Sequence, residues 1–256
     1  MRKLLIAISA LWIALAAFAA DEADAARRYA AASVRAQRFF KYQEWQSALA
    51  MYEVMLDIRP DDVPSYYHAI FSAGRLGNSD LQMNFFERTQ QQGIALDSIF
   101  SGVKGISFAM GEGDEYEKLL LLVRDRQPWL ARGINVYLLD YYDFRNNAEG
   151  VIGIAETKLD ETPESLQLAR ILANAYMKAS RPDDAMRCYR HIVSHEPADY
   201  DALLNMGVYY YTALRQTTDE AARADYAALA QAYLTDAWRV SPTPHVEKIL
   251  RELSGL

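Results

Sequence analysis

Apolar residues recur along this chain at the three- and four-residue spacing of a helix face, not at the two-residue spacing of a strand. The last segment shows it plainly. Val246, Ile249, Leu250 and Leu253 follow Thr243, a capping residue, and Pro244, which suits the first turn of a helix. No stretch of sustained alternation and no Val/Ile-rich run interrupts this pattern, so it predicts an all-α fold.

The helices come in a repeating unit. Pro60, Pro128, Pro163, Pro197 and Pro242 are separated by 68, 35, 34 and 45 residues, which is a period near 34 with one doubled interval and one insertion of 11 residues. Twelve residues before a proline stand Ala48, Val151, Ala185 and Ala230, and eight before stand Tyr52, Leu120, Ala155, Tyr189 and Leu234. Five before stand Met55, Val123, Ile192 and Ala237. A packed helix pair needs a small residue at its crossing and a bulky one a turn later, and these positions supply both. Phe39, Tyr142, Tyr176 and Tyr210 fall where the preceding helix turns an aromatic ring toward its partner.

On these residues the chain resembles the tetratricopeptide repeat family, most visibly from Phe39 to Pro60 and from Ala173 to Pro197. The resemblance implies a right-handed α-solenoid of about six helix pairs with a C-terminal capping helix, each pair needing a stacked neighbour to bury its apolar face. The second and third repeats, about residues 63–128, are degenerate. Gln82 and Tyr116 stand where the family has Ala, and no proline closes the second unit near Ile94, which leaves room for a splay, a register shift or a bend. The insertion falls between Arg215 and Asp225, where Thr218 is expected to cap a long second helix that projects past the array.

The N-terminus changes the picture of where the protein resides. Arg2 and Lys3, the apolar run Leu4 to Ala20 and the acidic Asp21-Glu22-Ala23-Asp24 have the order of an export signal, with Ala17-Phe18-Ala19 placing a cut before Ala20. The run is short of the roughly 20 residues that span a bilayer comfortably, so cleavage is expected over retention as an anchor. The sequence thus divides into a signal peptide (1–19), a flexible mature N-terminus (20–27), the repeat array (28–242) and a capping helix (243–256), read as one domain. The lone Cys188 lies far from the cut, which excludes lipidation there and an internal disulfide. The product is expected to be exported, periplasmic or secreted, bacterial, not a lipoprotein, and without a membrane span after cleavage.

With 27 Lys and Arg against 34 Asp and Glu, the net charge of -7 argues against nucleic acid as a partner. No phosphate-cradling glycine loop, HExxH or GxSxG motif occurs, so no enzyme activity, cofactor or small-molecule substrate is expected. Gly111-Glu112-Gly113-Asp114 reads as a turn between helices. Cys188, His191 and His195, spaced three and four apart, form a weak metal candidate that lacks a fourth ligand.

The family resemblance further implies a protein or peptide partner held in a concave groove lined by the first helix of each repeat. The corresponding residues are Tyr67, Phe71, Arg75, Asp140, Asp143, Arg170, Asn174, Lys178, Asn205 and Tyr211. Tyr67 and Phe71 are candidate apolar anchors. Arg170, Asn174 and Lys178 lie four apart and could grip a carboxylate, as in the carboxylate-gripping groove of some chaperone-binding members, or could instead pair with Asp140 and Asp143. The competing expectation is a structural subunit that self-assembles through the extended last repeat.

Overall fold

A computed structural model describes the backbone of residues 2–255 and the side chains of residues 21–255. The expected signal segment, residues 1–19, lies outside the described side chains. Among the described residues there are thirteen helices, one 3-10 turn and no strand. They fall into two compact units, Met1–Ile134 and Asn135–Leu256.

In the first unit, α1 (Arg2–Lys41) packs on α2 (Trp45–Ile58), and α2 on α3 (Val63–Arg75). The latter is the hub of this unit and also packs on α4 (Ser79–Gln91), α5 (Leu96–Ala109) and α6 (Gly113–Arg126). A 3-10 turn, Pro128–Leu130, follows. Residues 20–27, expected as a flexible terminus, lie within α1, in keeping with an alanine-rich stretch of high helix propensity.

The small residues that spacing marks as crossing points are fully buried, with Ala48, Ala185 and Ala230 at 0% exposure. The degenerate second pair solves the crossing differently. Gln82 is buried where Ala is usual, and the space it needs is opened by Gly74 on α3, where a Cβ would stand only 2.7 Å from Gln82 Nε2. Small and large residues have exchanged helices. In the third pair Tyr116 is likewise buried, with Lys104 above its ring.

The second unit starts inside α7 (Ala131–Phe144) and continues through α8 (Ala148–Glu161), α9 (Leu166–Lys178) and α10 (Pro182–His195). It ends with α11 (Tyr200–Gln216), α12 (Glu220–Val240) and α13 (Pro244–Ser254). From α8 to α13 each helix packs on the next. Tyr142 on α7 lies on Gly150 of α8, where any Cβ would fall 2.6 Å from the ring. The insertion lengthens both helices of the last pair, to 17 and 21 residues against 13 and 14 in the pair before it. The cap of α12 is Asp219 rather than Thr218: its carboxylate accepts from the Ala221 amide at 3.0 Å, and a carboxylate reaches the orphan amides with added charge that a hydroxyl lacks. Thr243 caps α13 with Pro244 at its first position. Val246, Ile249 and Leu253 then close over Leu214, Ala230 and Leu234, so α13 seals the end of this unit.

Turns within the first five pairs carry a left-handed residue, which ends the preceding helix. Gly77 and Gly111 do this without cost, whereas Gln43, Asn146 and Ser180 do it with side chains at φ of 59°, 52° and 58°. Among the described residues the fold is therefore all-α, built of successive helix pairs in each unit, with α13 closing the second.

Candidate functional site

The second unit contains an open cleft of about 690 Å³ between the C-terminal turns of α7 and α9 and the start of α8. It exists because α7 and α9 are both first helices of their pairs, with α8 packed behind them. Helix spacing gives each a face toward the cleft: Leu139, Asp140 and Asp143 on α7, and Ile171, Asn174 and Lys178 on α9. Leu139, Val151, Ile171, Ala175 and Met177 give an apolar floor, and Asp140, Asp143, Asn146, Asn147, Asn174 and Lys178 give a polar rim. Asn147 is partly committed, since its side chain caps α8 by accepting from the Gly150 amide at 3.0 Å. Met177 is 44% exposed, an apolar, flexible side chain left at the surface.

Four of the residues expected in a groove, Asp140, Asp143, Asn174 and Lys178, meet here. Lys178 donates to Asp143 Oδ1 at 3.1 Å across the cleft. The expected carboxylate grip does not form. Arg170 turns away, donating to Asp199 Oδ2 at 2.7 Å and to Glu196, both at the start of the next pair. Burial would raise the Asp199 pKa, but the Ala202 amide and Arg170 more than offset this and hold it below the usual carboxylate value. Asp199 thereby caps α11 and anchors Arg170 at once.

The remaining expected residues lie elsewhere. Asn205 donates to the Asp201 carbonyl of its own helix at 2.7 Å. Tyr211 donates to Glu252 of α13, so it fastens the capping helix instead of lining a groove. Tyr67, Phe71 and Arg75 belong to the first unit. Phe71 is 1% exposed and packed between Phe40 and Trp45, each ring centroid 5.7 Å away, which makes it core and not a ligand anchor. Tyr67 is half-buried, its ring against the Gly102 backbone and 4.8 Å from His68. The Arg75 guanidinium is held by Glu112 at 2.6 Å and lies near buried Glu115 at 3.7 Å.

Cys188 and His191 line a second cavity of about 570 Å³ in the second unit, with Glu156, Asp160, Tyr176 and Asp184. Burial pushes the Cys188 thiol up to about 11, so it is neither an activated nucleophile nor a ready thiolate ligand. Tyr176 donates to Glu156, and burial together with that bond raises its phenol. The His191 and His195 rings lie 4.6 Å apart, tilted by 55°, but among the described residues no three His, Cys, Asp or Glu side chains are placed to hold a metal ion. Within the candidate trio, Cys188 and His191 line this cavity while His195 is exposed and outside it.

Ile171 and Met177, the apolar half of the cleft, are what the sequence reading missed. The signal available was the i, i+3, i+7 face Ile171, Asn174, Lys178, which the charged members alone had drawn out.

No protein-family model matches this sequence, and a search of curated proteins finds no match. Among solved structures, a Bacteroides ovatus protein is 15% identical over 76% of this chain and 97% of its own, with a TM-score of 0.48. The C-terminal part of a TPR repeat-containing protein from Cytophaga hutchinsonii is 16% identical over 85% of this chain and 83% of its own, with a TM-score of 0.44. YrrB, a TPR protein with an unusual peptide-binding site, is 13% identical over 85% and 88%, with a TM-score of 0.31.

Proposed function

We propose that this chain is a non-catalytic interaction scaffold that binds a polypeptide in the α7/α9 cleft. The observation that carries this is the cleft itself, an apolar floor open to solvent and rimmed by amides and charges that can bond a peptide backbone. Its titratable rim groups are exposed, and none is paired with a nucleophile poised for catalysis. The N-terminal pattern adds export to the cell envelope, with the mature chain starting at Ala20; N-terminal sequencing of the secreted or periplasmic fraction checks that part.

Display of random peptides on the mature protein tests the binding reading. Enriched peptides should bind with micromolar affinity and lose about ten-fold on Met177→Asp, which places a carboxylate in the apolar floor. Peptides that bind the variant unchanged would remove the cleft from the account. A second reading, self-assembly, is favoured by Trp238 and Val240, exposed at 41% and 43% on the elongated α12. Light scattering of the mature chain decides it: a concentration-dependent dimer dispersed by Trp238→Glu supports self-assembly, and a monomer at all concentrations dismisses it.

A further inference from the structure

The charges around the α7/α9 cleft select among polypeptides, and this step rests on the binding reading proposed above. Arg170 does not line the cleft and pairs instead with Glu196 and Asp199, so of the cationic stripe on α9 only Lys178 reaches it. Among the described residues lining the cleft, Asp140 and Asp143 supply two carboxylates and Lys178 a single ammonium. The Lys178 to Asp143 pair is exposed on both sides and therefore weak, so a ligand cation can share or take the Asp143 carboxylate.

Backbone electrostatics point the same way. α7 and α9 end at the cleft, at Phe144 and Lys178, and α8 begins there at Ala148, so two negative dipole ends face one positive end and the balance favours a cation. The wider field agrees. The second unit, residues 135–256, holds eighteen acidic and twelve basic residues, a net -6 of the chain's -7. Beside this acidic rim, Leu139, Ile171 and Met177 offer an apolar seat within the same cavity.

We infer that the cleft takes an extended segment in which a lysine or arginine stands beside an apolar residue. The cation meets Asp143 and Asp140, its alkyl stem lies along Met177, and the neighbouring apolar side chain enters between Leu139 and Ile171.

The test is fluorescence anisotropy of the full mature chain with two labelled peptides, one alternating leucine and lysine and the other with glutamate in place of each lysine. The lysine peptide should bind at least about ten-fold tighter, and the ratio should shrink as salt rises. Asp143→Asn should cut the ratio about three-fold, and Asp140→Asn with Asp143→Asn should bring it near one, while Asp236→Asn, outside the cleft, leaves it unchanged. Circular dichroism confirms that each variant is folded. Equal or tighter binding of the glutamate peptide, or a ratio untouched by the double variant, overturns the charge inference. In either case Met177→Ala, which removes apolar contact without adding charge, separates the two claims: if it weakens binding, the cleft remains the site, and if it weakens neither peptide, or if neither peptide binds at all, the site reading falls as well.

Discussion

Gly207 sits where α11 crosses α12, and adding one methyl group there measures how tightly the last pair is packed. A Cβ at Gly207 would lie 2.5 Å from Leu234 Cγ, 2.8 Å from its Cδ2 and 3.1 Å from its backbone nitrogen. Comfortable carbon contacts begin near 3.5 Å, so about 1 Å of overlap must be relieved by moving a side chain that is itself 0% exposed. Overpacking of this kind costs about 1–3 kcal/mol, and replacing a mid-helix glycine returns about 1 kcal/mol of helix propensity. Gly207→Ala should therefore destabilise by up to about 2 kcal/mol. Leu234→Ala alone, leaving a cavity among Leu214, Ala230, Val246 and Ile249, should cost about 3–4 kcal/mol. Together they should cost at least about 1 kcal/mol less than the sum, because the clash with the leucine branch is gone and the new methyl fills part of the void. Full rescue is not expected, since the approach to the Leu234 backbone nitrogen persists. Urea denaturation followed by circular dichroism reads all three values, with hydrogen exchange in α11 and α12 locating the effect. Additivity within about 0.3 kcal/mol would show that the two residues do not share this crossing and would refute the reasoning.

Asp199→Asn keeps a capping side chain but loses the charge held by Arg170, and should cost about 1 kcal/mol at pH 7. Because the folded Asp199 pKa is depressed, its contribution is present above the unfolded carboxylate pKa and fades as pH falls through the folded value. Wild type and Asp199→Asn should thus converge in urea midpoints as pH falls below the unfolded carboxylate value and through the lower folded one, and a constant gap would contradict the linkage. Gly77→Ala, forcing a Cβ into φ +68°, should cost about 1 kcal/mol with nothing to clash against, whereas Ser180→Gly at φ 58° should be neutral or stabilising by thermal melts. With its thiol near 11, Cys188 should be about 0.1% thiolate at pH 8 and react with a thiol reagent orders of magnitude more slowly in the folded chain than in urea; equal rates would contradict its burial. Phe71→Ala should destabilise the first unit by about 3–4 kcal/mol without changing the affinity of cleft-binding peptides, as titration of both properties would show.

The helix pairs were legible because the proline spacing and the small residues at Ala48, Ala185 and Ala230 are local, repeated signals. The second pair was less so: Gln82 breaks the pattern, and what compensates it is Gly74, a residue on the partner helix whose meaning depends on the crossing. Asp140, Asp143, Asn174 and Lys178 were picked out by helical register and do share a cleft. Register could not show which cations were already engaged. Arg170 looks equivalent to Lys178 in sequence, yet its partners Glu196 and Asp199 lie 26 and 29 residues on, in the turn that starts the next pair. Phe71 has the spacing of a groove residue, but α3 is enclosed by four other helices, and an aromatic ring there enters the core. Tyr211 was assigned to the groove, but its hydroxyl finds its acceptor on α13, 41 residues away.

The most direct measurement of the central claim is hydrogen exchange on the mature chain with and without a peptide selected by display. Binding in the cleft predicts slowed exchange confined to residues 139–151 and 171–178. Protection that falls instead on the first unit, or on α11 and α12, would contradict it.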